Sequence, residues 1–156
     1  MYFLITQCKK PITNWFKEKV PAKGVGIYFI VIACVFYVLW LSEIVPAIMA
    51  GMAPESLIEV GLLTNPVHAL DLSVVLPGFF IVGILLLKRK PLGLLLASTV
   101  LVFMFLMDLT ISGLNIVMRA RGLDASYGIS VVMTVLALVS VLLLIRYLKS
   151  IKQNQG

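Results

Sequence analysis

Charge is scarce in this sequence: 13 Lys and Arg with 7 Asp and Glu make up 13% of its 156 residues, where a water-soluble domain carries about 25%. With 61% of residues hydrophobic and a mean hydropathy of +1.08, too few polar side chains remain to cover an apolar core. A water-soluble globular fold is excluded, and lipid must be part of the solvent. Catalytic motifs are missing too. One histidine and two cysteines are present, Cys8 in an N-terminal tail and Cys34 in mid-span, so no disulfide is expected and the C-x-x-C spacing of a dithiol redox centre is absent. No G-x-S-x-G elbow accompanies the single imidazole, and neither a dinucleotide fingerprint nor a phosphate loop occurs. One histidine with three in-span carboxylates is a meagre set for zinc and suits a hard cation better. An enzyme is the less favoured class, and the sequence assigns no cofactor.

What is present is long apolar runs. Crossing the hydrocarbon takes about 20 apolar residues in a helix, and four stretches meet that length: Gly24 to Ala50, Ala69 to Leu87, Leu92 to Met118 and Tyr127 to Tyr147. Val and Ile are frequent in them, but an open sheet edge cannot be satisfied in lipid and the runs do not alternate as barrel strands do. The expected fold is an all-α integral membrane four-helix bundle over 24–148, flanked by tails at 1–23 and 149–156. Pro54, Asn65 and Pro66, the Lys88-Arg89-Lys90-Pro91 turn and Gly122 mark the breaks.

Eleven of the thirteen basic residues fall before the first span, between the second and third, or at and beyond the end of the fourth. The positive-inside rule therefore places both termini and the Lys88 turn in the cytoplasm, with the protein in the cell membrane. These charges sit at membrane edges without interleaved aromatics, which argues against nucleic acid as a partner. In the tail, Ile12, Trp15, Phe16 and Val20 recur among lysines. That spacing fits a short amphipathic helix on the anionic inner leaflet, with a solvated tail as the alternative.

Three acids fall inside the spans. Glu43 is 19 residues beyond Gly24, Asp71 is 17 before Lys88 and Asp108 is 17 beyond Pro91, which places each roughly 25 to 29 Å from the inner boundary. A charge within a span costs at least about 2.5 kcal/mol, so three at one level are expected to face one another or a wet cavity. Asp108, Ser112, Asn115 and Arg119 share one face of the third span, His68 and Asp71 one face of the second, and Trp40 lies three residues before Glu43. Tyr127 and Ser130 lie at the same end. Arg119 reads as a snorkelling interfacial charge rather than an anion clamp, and Trp40, Trp15, Tyr28 and Tyr147 read as belt or packing residues. Pro77 removes the bond that the Ser73 carbonyl would accept and predicts a kink, while Pro46 predicts a distortion beside Glu43.

The strings Trp40-Leu41-Ser42-Glu43, Asn65-Pro66-Val67-His68 running to Asp71-Leu72, and Lys90-Pro91-Leu92-Gly93 resemble those of a group of uncharacterised bacterial and archaeal multipass membrane proteins, over most of residues 25 to 148. The resemblance implies a prokaryotic polytopic protein. Members of the group extend further at the N-terminus with additional hydrophobic segments, so that Met1 to Gln7 would resemble the end of a lost helix in a shortened form. It implies no substrate. The residues themselves point to an outer-leaflet cavity lined by Glu43, His68, Asp71, Asp108 and Asn115 that binds a cation, proton or small polar ligand. Two alternatives stand beside it: a scaffold or accessory subunit in which the layer only holds helices together, and an intramembrane enzyme acting on a lipid. Four short helices give little volume for alternating access, so transport would require a homo-oligomer or a membrane partner.

Overall fold

The computed structural model describes residues 20–51, 66–122 and 126–151. The long elements among them are helices: α1 (Ala22–Met49), α2 (Pro66–Leu70, a π-helical turn Asp71–Val75, then Leu76–Leu87), α3 (Pro91–Ala120) and α4 (Tyr127–Leu148). Each is long and apolar enough to cross a membrane. In the most apolar window of each helix only 17% to 33% of residues are buried, and Val38, Val74, Leu106 and Leu142 are among the large apolar side chains left exposed. Such surfaces are consistent with lipid contact. The helix ends lie within three residues of the sequence expectation. The predicted amphipathic helix at Ile12–Val20 lies almost entirely outside the described residues, and Cys8, Pro54 and Asn65 lie outside them.

The helices fall into two compact units that divide between Lys88 and Arg89. The turn between them follows from its residues. Lys90 precedes proline and is held extended, at φ −71° and ψ 141°, and Arg89 turns the chain with φ +49°.

In the first unit α1 and α2 run antiparallel, as their contacts show: Gly26 lies against Gly83 near one end, Phe29 stacks on Phe79 at 6.1 Å, and Glu43 meets His68 at the other end. Glycine is required at the crossing. A Cβ on Gly26 would stand 2.9 Å from the Gly83 carbonyl oxygen, and one on Gly83 would stand 2.9 Å from the Gly26 carbonyl oxygen and 2.7 Å from Ile30 Cγ1. Small residues permit this approach where lipid removes any hydrophobic drive between helices.

The second unit pairs α3 with α4, also antiparallel, with Tyr147 near the end of α4 donating to the Leu94 carbonyl at 2.6 Å near the start of α3. Leu94, Ala97, Leu101 and Met104 are buried along one stripe of α3 at spacings of three and four, and Asp108 and Ser112 continue that stripe. Ser112 is satisfied there, sharing a 2.8 Å hydrogen bond with Thr134, which in turn donates to the Ser130 carbonyl at 2.7 Å.

Candidate functional site

Polar side chains of the first unit gather at the end opposite the glycine crossing. The register set by Gly26 and Gly83 aligns Trp40 with Asp71 and Glu43 with His68. Trp40 Nε1 donates to Asp71 Oδ2 at 3.1 Å, the Trp40 ring lies 4.2 Å from the His68 ring at 40°, and Glu43 Oε2 stands 3.7 Å from His68 Nε2. His68 and Asp71 are buried, at 7% and 5% exposure, whereas the Glu43 side chain is 36% exposed. The imidazole is thus held between an indole face and a carboxylate that still reaches the surroundings.

The backbone beneath Asp71 is irregular for a local reason. Proline lacks an N–H and its ring crowds the preceding turn, and ahead of Pro77 the helix widens into the π-helical turn, in which the Leu76 N–H bonds back to the Asp71 carbonyl. Continued in that register, the partner missing at Pro77 would belong to the Leu72 carbonyl. Tyr37 supplies one instead, its hydroxyl donating to Leu72 O at 3.3 Å. The irregularity therefore lies just ahead of Pro77, includes Ser73, and falls in the turn that carries Asp71. Single π turns of this kind recur at functional sites. Pro46 sits within continuous α1 helix three residues beyond Glu43.

The other expected site residues belong to the second unit. Asp108 is 7% exposed, and its Oδ2 has no hydrogen-bond partner among the described residues. Asn115 is half-buried, donates to the Ile111 carbonyl at 3.1 Å, and lines a cavity of about 290 Å³ with Arg119, Ser126, Tyr127 and Ser130. The expected residues thus form a three-member group around His68, a buried acid at Asp108 and a cavity at Asn115. Among the described residues no group of three His, Cys, Asp or Glu is placed to hold a metal ion.

Serine nucleophiles for His68 find no support, since Ser73 donates to the Ala69 carbonyl at 2.6 Å and Ser112 is engaged with Thr134 and Ser130. Trp40 is the site residue that the belt reading missed. Its position three residues before Glu43 was a usable signal, but the indole N–H was not counted as a partner for a buried acid. The Arg119 guanidinium lies 3.4 Å from the centroid of the Tyr127 ring, a contact that an interfacial charge can make.

No family model, curated protein or solved structure matches the chain.

Proposed function

We propose that the chain is a multi-pass protein of the cell membrane, with both termini in the cytoplasm, and that its outer polar layer binds a proton or a small polar or cationic ligand. The observation that carries this reading is the buried His68 between Trp40 and Glu43, with Asp71 fixing the indole. An imidazole ordinarily changes charge between about pH 5 and 8, and interior ionisable groups are costly enough to mark function rather than packing. Glu43, His68 and Asp71 form the receiving group in the first unit, and Asp108 and Asn115 are further ligand-binding residues proposed in the second. The Trp40–Asp71 bond is itself interhelical glue, which favours as the second reading a scaffold in which the layer is structural.

Thermal unfolding in detergent separates the two. Titrated across pH 5 to 8 and against divalent cations and lipids, wild type is expected to show a pH- or ligand-dependent rise in midpoint that Glu43→Gln and Asp71→Asn both lose, because a ligand stabilises only the state that binds it. A flat wild-type response, with both variants merely lowering the midpoint, would assign the layer to structure.

A further inference from the structure

Asp108, the acid of the second unit, has surroundings quite unlike those of the His68 group. Its side chain is 7% exposed, and Oδ2 is buried without a hydrogen bond among the described residues. A carboxylate taken out of water without a partner is among the most costly groups a fold can hold. It is also the one acid of its helix pair, since α3 contains no other Asp or Glu and α4 contains none. The arginines of the two helices lie in their last turns, so neither helix brings a positive charge to Asp108.

The next turn of the same face supplies oxygen. Ser112 follows Asp108 by four residues on the buried stripe of α3 and is itself 4% exposed. Its Oγ lies 2.8 Å from Thr134 Oγ1 and 3.3 Å from the Ser130 carbonyl oxygen, and Thr134 reaches the same carbonyl at 2.7 Å. Two hydroxyls bring two hydrogens. Whichever of Ser112 and Thr134 donates to the other, the remaining hydrogen goes to the Ser130 carbonyl. None is left for Asp108. What Ser112 retains is lone-pair density, which repels a carboxylate and attracts a cation. Oxygens that share a bound ion do not hydrogen-bond one another, and Asp108 Oδ2 and Ser112 Oγ do not.

Charge and donor type set the class of ion. Donors that are all oxygen select a hard cation. Asp108 lies 17 residues beyond Pro91, roughly 26 Å along the helix, within a hydrocarbon about 30 Å thick. A divalent ion on a single carboxylate would leave a net positive charge at that depth, whereas a monovalent ion leaves none. Among the described residues no group of three His, Cys, Asp or Glu could serve a divalent ion instead.

We propose, resting on the reading of Asp108 as a ligand-binding residue, that Asp108 and Ser112 bind a monovalent alkali cation, sodium or potassium. Asp108 neutralises the ion, Ser112 is its neutral ligand, and Thr134 with the Ser130 carbonyl holds the Ser112 hydroxyl in place. The His68 group, in the other unit, takes no part.

The test uses the full chain in a neutral maltoside detergent at pH 8, with sodium replaced by choline. Thermal midpoints are read against sodium, potassium and calcium chlorides, choline chloride keeping the ionic strength constant, and sodium-23 line broadening reports binding directly. Sodium or potassium is expected to raise the wild-type midpoint saturably, because the ion binds only the folded state, and calcium to raise it less. Asp108→Asn, nearly isosteric but uncharged, should need at least about tenfold more of the alkali ion for the same rise. Ser112→Ala should fall between that variant and wild type. Thr110→Val, which alters an exposed hydroxyl of α3 bonded to the Leu106 carbonyl, should behave as wild type. An alkali-cation site is contradicted if wild type shows neither the rise nor the broadening, if Asp108→Asn responds as wild type does, or if calcium raises the midpoint more than either alkali ion. Each of these results leaves untouched the pH response expected of the His68 group and its loss in Glu43→Gln, so failure at Asp108 is separable from failure of the proposed function.

Discussion

Gly83→Val is expected to break the first helical unit, lowering stability in detergent by about 2–3 kcal/mol and abolishing any response of the His68 group. The new Cβ would stand 2.7 Å from Ile30 Cγ1 and 2.9 Å from the Gly26 carbonyl oxygen. The first contact falls on Cγ1 of a β-branched side chain and is relieved only by a change of its χ1 rotamer. The second is backbone and can be relieved only by moving α1 away from α2. Ile30→Ala should accordingly rescue Gly83→Ala only in part. Gly78→Ala, in the same helix with open space around the added methyl, should be near neutral. Moving α1 would also misalign Trp40 from Asp71, although neither lies near Gly83 in the chain. Circular-dichroism melts give the stabilities; equal effects at Gly78 and Gly83 would contradict the close crossing.

Replacing Asp108 with valine is expected to stabilise the protein by about 1–3 kcal/mol, the usual cost of a buried polar atom without a partner. Asp108 occupies the apolar stripe of α3 after Leu101 and Met104, and its Oδ2 is buried without a hydrogen bond among the described residues. Valine is close to aspartate in volume and needs no partner. Asp108→Asn should gain less, because the amide still requires hydrogen bonds. A higher midpoint for Asp108→Val would mean that the acid is kept at the expense of stability, as interior acids at functional sites are. A lower midpoint would show that Asp108 is satisfied and structural.

Much of the architecture was legible because apolar length is a strong signal. The expected span Gly24 to Ala50 became Ala22–Met49, and Leu92 to Met118 became Pro91–Ala120, differences of the size that helix ends ordinarily show. The pairing of His68 with Glu43 was within reach, since Glu43 and Asp71 were placed at one depth and His68 shares a face with Asp71. What the sequence concealed depends on register between helices. Gly26 and Gly83 are two unremarkable glycines among eleven until α1 and α2 are aligned. The alignment also turns Trp40 from a belt residue into the hydrogen-bond partner of Asp71. The π-helical turn was concealed for another reason: an α-helical register assigns the bond missing at Pro77 to the Ser73 carbonyl, whereas the π register assigns it to Leu72, where Tyr37 donates from the other helix. The Arg119 stack was concealed because it requires Tyr127 from across the turn.

The chain has a single histidine, so nitrogen-15 labelling of histidine gives one imidazole to observe. Following its ring resonances from pH 5 to 8 in detergent, for wild type and Glu43→Gln, tests whether the group around His68 receives a proton. The wild-type resonances are expected to move with pH across this window, and Glu43→Gln to change the course of that movement. Resonances that stay fixed from pH 5 to 8 in wild type, or that titrate identically in Glu43→Gln, would contradict that expectation.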